Sequence, residues 1–344
     1  MKNILVVFTG GTIGSSVCNG EINTDTQTHF LLLSQFKMRH PQIQIHFTTL
    51  QPYEILSENL TPSVWTLLIQ TIENANPSIY DGIIITHGTD TLAYTSSALT
   101  FYFHALNVPI FLVSSHYPLS DIRSNGLDNF SFAVNSIIKK KLRGVFVPYR
   151  NINSEVVKLH CGAYITCSPQ LSSDFYSISS NKKIESLFIK NTPIKLKPDF
   201  STRILMIKPY PGINYDYFNL DNVDVVLHDL YHSGTACAIS EYGKHHSLPH
   251  LLKRCISQNI PVFLAPAFKS TQFYQSTIEL RNQGAEIIWN ISIEAAYTKL
   301  LLAYGNFENH EEILTFLNNK LAGEVVKFFT TINNYAADLY KIAA

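Results

Sequence analysis

The 344 residues are too many for one small core and predict two domains. Lys+Arg and Asp+Glu balance at 26 each, so a net charge of zero gives no electrostatic pull toward nucleic acid or an acidic membrane surface, and neither is expected as a partner. Hydrophobic residues at 46% and aromatics at 12% supply each half with a substantial core.

The first element is the apolar run at residues 4–8, too short for a signal-peptide core or a bilayer span and read as a buried strand. Helical periodicity over 61–73 precedes an apolar run at 82–86, a second helical stretch at 93–106, and runs at 110–114 and 144–147. The segment 174–202 is polar and aperiodic, with Ser and Lys clusters and Pro193 and Pro198. Beyond it come runs at 204–207, 223–227, 261–265 and 286–289, with helical stretches at 250–258 and 293–304. From 311 to 344, Ile313, Leu314 and Leu317 at helical spacing predict a packed terminal helix pair. Continuous apolar strands alternating with helices predict an α/β fold. A larger N-terminal parallel-sheet domain with flanking helices (1–185) is expected, then a linker (186–202) and a smaller C-terminal α/β domain with terminal helices (203–344). No apolar stretch reaches spanning length. The cysteines (Cys18, Cys161, Cys167, Cys237, Cys255) are scattered, odd in number and form no C-x-x-C pair. A cytoplasmic protein with reduced thiols is expected, without a structural zinc site.

In open parallel sheets ligands bind beyond the carboxyl ends of the strands. Three polar loops stand there in the first half: Thr9-Gly10-Gly11-Thr12-Ile13-Gly14, Thr86-His87-Gly88-Thr89-Asp90-Thr91, and Ser114-Ser115-His116-Tyr117-Pro118-Leu119-Ser120. The first fails as a phosphate loop, since Ser15 stands where a Walker loop needs Lys, and it fails as a G-x-G-x-x-G fingerprint. Its paired glycines permit a tight turn whose N–H groups face a ligand, with the Thr12 hydroxyl alongside; a plain strand-to-helix turn is the alternative. A threonine hydroxyl needs a proton acceptor to act as a nucleophile or relay. Lys158, in the apolar setting Val156-Val157-Lys158-Leu159, would serve if burial kept it neutral; otherwise it guards an edge strand. The pair His245-His246 beside Lys244 reads as a solvated turn, because no third metal ligand is evident nearby.

These residues resemble the bacterial-type L-asparaginase family, closer to its cytoplasmic type I branch. The match runs through Thr9–Gly14, Ser57-Glu58-Asn59, Asp81-Gly82, Thr86–Thr91, Ala93-Tyr94-Thr95, Pro118–Asp121, Arg123, Gly126 and Asn129. It continues through Lys208, Tyr210-Pro211-Gly212, Glu294-Ala295-Ala296 and Lys299-Leu300. The resemblance implies L-asparagine hydrolysis with Thr12 as nucleophile, and a second catalytic group of Thr89, Asp90 and Lys158 that activates water. It implies that Ser57 and Glu58 hold the amino-acid end of the substrate, with Asp90 on its ammonium, while Gly88, Thr89 and Ser114 cradle the amide. It also implies no metal or organic cofactor, a small amino-acid amide as the partner molecule, and a homodimer or homotetramer with active sites between paired subunits. His87 and Tyr94 are expected to serve loop geometry.

The chain departs from the family in three places. Glu21 stands where the family carries a loop tyrosine and is a candidate base toward Thr12. Thr235, in His232-Ser233-Gly234-Thr235-Ala236, replaces an expected Asn, and Val157 replaces a Thr tied to effector binding. Two further readings remain open from the sequence. One is an amidotransferase subunit supplying ammonia to tRNA-bound glutamate, which the neutral charge and the start at the first strand oppose. The other is a non-hydrolytic amino-acid sensor that keeps the pocket.

Overall fold

The computed structural model describes residues 1–18, 20–24, 27–139, 141–178 and 194–326. The apolar runs become strands because each has two faces to bury. In β1 (Lys2–Val7), Ile4 and Val6 enter one core while Leu5 and Val7 enter another, the period-2 alternation of a covered parallel sheet. An antiparallel hairpin follows, β2 (Ser15–Cys18) with β3 (Glu21–Thr24), then α1 (Gln27–Arg39), β4 (Ile45–Leu50) and α2 (Pro62–Asn74). Next come β5 (Gly82–Thr86), α3 (Leu92–Tyr102), β6 (Ile110–Val113), α4 (Gly126–Lys139), β7 (Val145–Tyr149) and β8 (Lys158–Cys161). The first sheet has the order β4-β1-β5-β6-β7-β8 and is parallel throughout except for β8, which runs antiparallel to β7 at the edge.

The second sheet is fully parallel. It orders β12 (Glu286–Trp289), β11 (Val262–Ala267), β10 (Val225–Asp229) and β9 (Ile204–Ile207), accompanied by α5 (Leu248–Ser257), α6 (Gln275–Asn282), α7 (Ile293–Asn306) and α8 (His310–Asn318). One face of it packs on Leu251, Leu252 and Cys255 of α5 and Leu280 of α6. The outer face of the first sheet packs Ile84 and Phe111 on Phe36 of α1 and on Phe130 and Val134 of α4.

Between the sheets a single core joins both halves. It takes Trp65 and Leu68 from α2, Leu99 and Phe101 from α3, Leu300 and Leu301 from α7, and Phe316 from α8. It also takes Val225 and Phe263 from the second sheet. Packed against α7, α3 is apolar or small on every side. Its buried hydroxyls are satisfied: Thr95 accepts the Trp65 indole N–H at 2.9 Å, and Ser96 donates to the Gly162 carbonyl at 2.8 Å. A buried ion pair closes the far end of this core. The Lys299 ammonium, 1% exposed, donates to Glu324 Oε1 at 2.7 Å and to the Leu317 and Asn319 carbonyls at 2.9 and 2.7 Å.

Residues 186–193 of the expected linker lie outside the described residues. Its remainder is held at several points: Lys197 N–H donates to Asn306 Oδ1 at 2.6 Å, Thr66 donates to the Pro198 carbonyl at 2.7 Å, and Phe200 packs edge-on against Trp65. Of the expected terminal helix pair, α8 is the described member, and 327–344 lie outside the described residues. No helix among the described residues is long and apolar enough to cross a membrane.

Candidate active site

The carboxyl ends of β1 and β5 leave two loops side by side, and the chain ties them together before either forms its turn. Thr9 N–H donates to Thr86 Oγ1 at 3.1 Å, and the Thr9 hydroxyl donates back to the Thr86 carbonyl. Strand pairing then extends past β1, with Gly11 N–H donating to the Ile55 carbonyl at 3.0 Å and Ile55 N–H to the Thr9 carbonyl at 3.2 Å. Gly10 and Gly11 take φ of +95° and +74°, so the chain turns back at once into the 3-10 turn Thr12–Gly14. The Ser15 hydroxyl closes that turn on the Gly11 carbonyl at 2.8 Å. Thr12 is half-buried at its start.

Backbone then meets backbone. A Cβ on Gly11 would lie 2.2 Å from Gly88 N, and a Cβ on Gly88 would lie 2.4 Å from Ser57 Oγ. Glycines at both positions let three loops close on one another: the Thr12 turn, the Gly88–Thr91 loop, and the 3-10 turn Ser57–Asn59 that follows Ile55. Buried Ser57 hydrogen-bonds the Asp90 loop, accepting from Asp90 N–H at 3.2 Å with its hydroxyl 3.4 Å from Asp90 Oδ2. Thr91 donates to the Ser57 carbonyl at 3.0 Å. Thr89 is half-buried, while Asp90 and Glu58 are exposed. Thr89 and Asp90 lie just ahead of α3, where Leu92 N–H donates to the Thr89 carbonyl at 3.4 Å and the positive end of the helix favours negative charge.

The third loop supports from below. The Ser114 hydroxyl donates to the His87 carbonyl, and the Ser114 carbonyl accepts Asn129 Nδ2 at 2.9 Å, with Asn129 Oδ1 receiving Arg150 N–H at 2.9 Å. Burial drives His87 down to about 4, so its ring is neutral and Nδ1–H donates to the Gly88 carbonyl at 2.7 Å. That bond ties the ring to the loop it stands in.

Thr12, Ser57, Gly88, Thr89, Asp90 and Ser114 thus belong to one constellation, with Glu58 on its rim. Two other residues singled out from the sequence, Lys158 and Glu21, do not join it by hydrogen bond among the described residues. Lys158 opens β8 on the same edge of the sheet, opposite Tyr149, but it is exposed. Among the described residues no hydrogen bond or ion pair links it to Thr89 or Asp90, and the burial expected of it is missing. Glu21 is exposed at the start of β3, in the hairpin that packs against the Thr12 turn.

The sequence did not reveal what stands behind Asp90. Cys167 N–H donates to Glu294 Oε1 at 2.8 Å, and Cys167 Sγ lies 4.0 Å from the Asp90 carbonyl oxygen. Burial, with Glu294 adding, pushes the Cys167 thiol up to about 12, so the sulfur stays protonated and unreactive. Burial raises Asp229 above the usual carboxylate range and Glu294 adds to the effect, opposed by Lys208. The surroundings of the Asp90 loop are acidic, suited to a ligand carrying an ammonium group. A separate cavity of about 760 Å³ lies at the strand ends of the second sheet, lined in part by Gly234, Ala267, Phe273, Asn290 and Glu294. Among the described residues no group of three His, Cys, Asp or Glu side chains could hold a metal ion.

A family model described as "Asparaginase, N-terminal" matches residues 3–186, more than half of the chain. A subunit of the glutamyl-tRNA(Gln) amidotransferase of Methanosphaera stadtmanae is 27% identical over 352 residues, covering 94% of this chain and 77% of that protein. L-asparaginase 1 of Escherichia coli K12 is 36% identical over 133 residues, 37% of this chain and 38% of that protein. The crystal structure of L-asparaginase I from Vibrio cholerae superposes with a TM-score of 0.76 at 26% identity, covering 95% of this chain and 99% of that one.

Proposed function

The chain belongs to the asparaginase family, and we propose that it hydrolyses L-asparagine to L-aspartate and ammonia, with L-glutamine a slower substrate. The observation that best supports this reading is the direct contact of the Gly11 backbone with the Gly88 backbone, and of Gly88 with the Ser57 side chain, which gathers Thr12, Thr89 and Asp90 around one small space. In this mechanism Asp90, with Ser57 and Glu58, receives the amino-acid end of the substrate. Thr12 Oγ attacks the carboxamide carbon, and N–H groups of the Gly11 and Thr89 turns stabilise the oxygen that takes up negative charge. The carbon–nitrogen bond breaks, the nitrogen gains the proton given up by Thr12, and ammonia leaves an aspartyl ester on Thr12. Water, its proton taken up through Thr89, Asp90 and Lys158, then cleaves the ester and restores the Thr12 hydroxyl.

Lys158 enters this relay once substrate or a second copy of the chain covers it, which fits a cytoplasmic homodimer or homotetramer. Glu21 serves as the base toward Thr12. Discrimination against glutamine rests on one methylene, worth about 1–3 kcal/mol.

A second reading is favoured by the similarity to the Methanosphaera amidotransferase protein along 94% of the chain. Here the same pocket takes glutamine and passes its ammonia to an acceptor; the balanced charge of this chain offers a tRNA little attraction. Ammonia release from purified protein with L-asparagine and L-glutamine, with Thr12→Ala as control, separates the two. Asparagine-dependent release lost in the variant supports the first reading. Release from glutamine alone supports the second, and single-turnover silence with both amides sinks both.

A further inference from the structure

Asp90 faces solvent, and from the front it is held by one side chain, Ser57. A loop so exposed needs a second support to keep a carboxylate within the fraction of an ångström that charge pairing with a substrate demands. That support comes from the other half of the chain. Glu294 lies in the first turn of α7, where Ser292 caps the helix by accepting Ala295 N–H at 3.2 Å and the helix dipole favours negative charge. It is 5% exposed. Its Oε1 fixes the Cys167 peptide N–H at 2.8 Å, and the Cys167 sulfur meets the Asp90 carbonyl oxygen at 4.0 Å. Its Oε2 is buried with no hydrogen-bond partner among the described residues. A carboxylate in that setting is costly to the fold, and the one backbone donor it engages leads directly to the Asp90 loop. Tyr94, four residues past Asp90 on α3, packs edge-on against Tyr297 of α7 with centroids 5.9 Å apart, a second tie between the same two helices.

We propose that Glu294 is a positioning residue for Asp90: it anchors the Cys167 backbone, and Cys167 buttresses the Asp90 peptide from behind. The kinetic consequence rests on the function proposed above. The mechanical consequence does not.

The test compares Glu294→Ala, which removes the acceptor for Cys167 N–H, with Glu294→Gln, which retains one. In the free protein, Glu294→Ala should speed hydrogen exchange about tenfold in the peptide spanning residues 88–91 while leaving the β9–β12 peptides unchanged. It should raise the KM for the amide substrate about tenfold with kcat changed less than about threefold, because the Thr12 turn is held independently. Glu294→Gln should stay within about threefold of wild type in both readouts. Should Glu294→Ala fail to fold, Cys167→Ala decides, since it keeps the peptide N–H and removes the sulfur; it should raise KM about threefold. A merely structural Glu294 would instead lower melting temperature and active fraction, with KM unchanged. Unchanged exchange over 88–91 in Glu294→Ala, unchanged KM in Cys167→Ala, or Glu294→Gln behaving like Glu294→Ala each overturns the proposal. If wild type releases no ammonia from any amide, the proposed function fails while the exchange comparison still decides the positioning role.

Discussion

Replacing Gly11 by alanine tests whether the contact between the loops makes the site. Two penalties arise there and can be separated. The first is conformational: at φ +74° a Cβ costs roughly 1–2 kcal/mol. The second is steric: the new carbon would sit 2.2 Å from Gly88 N, 2.4 Å from Gly88 Cα and 2.6 Å from the His87 carbonyl carbon. All three are backbone atoms, so no side chain can rotate away, and the Thr12 turn must withdraw from the Gly88–Thr91 loop by on the order of 1 Å to restore ordinary contact. A misplacement of about 1 Å between reacting groups costs on the order of a hundredfold in rate. Gly212→Ala is the control, because Gly212 has φ +86° with nothing within 4 Å of where its Cβ would stand, and so carries the conformational penalty alone. With ammonia release and thermal melting measured on both, Gly11→Ala should lose about two orders of magnitude in kcat/KM, whereas Gly212→Ala should lose about 1–2 kcal/mol of stability and no activity. If Gly11→Ala kept its activity within a few-fold of wild type, the loop contact would have no part in holding Thr12 against Thr89 and Asp90.

Three further outcomes follow from packing. Glu324→Ala leaves the Lys299 ammonium buried without its counter-charge and should cost about 3–5 kcal/mol in urea denaturation. His87 and His228 are both buried and both pushed down to about 4. Each stays neutral in the folded chain and takes a proton more readily when unfolded. Their contribution is therefore complete above about pH 6.5 and is lost as pH falls toward 4, roughly 2 kcal/mol each by pH 5; stability that is flat over this window would refute the assignment. Asn129→Ala strips a partner from both the Ser114 carbonyl and Arg150 N–H, so it should cost about 2–4 kcal/mol in thermal or chemical unfolding.

Strands written as short continuous apolar runs were the legible part of the fold. The apolar runs at 82–86, 204–207 and 286–289 are β5, β9 and β12 residue for residue. The edge strands of the first sheet were not legible: β4 and β8 mix polar with apolar residues, as His46 and Thr48 or Lys158 and His160 do, whereas β9 and β12, at the edges of the second sheet, keep nearly unbroken apolar runs. α4 was missed although Phe130, Val134 and Ile137 stand at helical spacing on its buried face; what no apolar pattern could show is Asn129 on that face, which ties down the Ser114 loop. The three site loops could be read from their places at strand ends. The Cys167–Glu294 link could not, since its donor is a peptide N–H that any residue would offer, and its acceptor looks like an ordinary glutamate in a first helical turn. Lys158 looked buried from its apolar neighbours, but in an edge strand those neighbours leave the lysine itself in solvent.

The helix that starts at the Asp90 loop has its body wedged between the two sheets, which bears on any dissection of the chain. A fragment ending near residue 186 would contain every candidate catalytic residue, from Thr12 to Lys158. It would also strip α3 of the α7 surface it leans on, baring Leu99 and Phe101 and leaving the Asp90 loop with Ser57 in front but without Glu294 behind Cys167. Such a fragment would own the parts without the alignment. If the positioning role proposed for Glu294 holds, the second half is the keystone of the candidate site, and losses of activity mapped to α7 would read as failures of bracing.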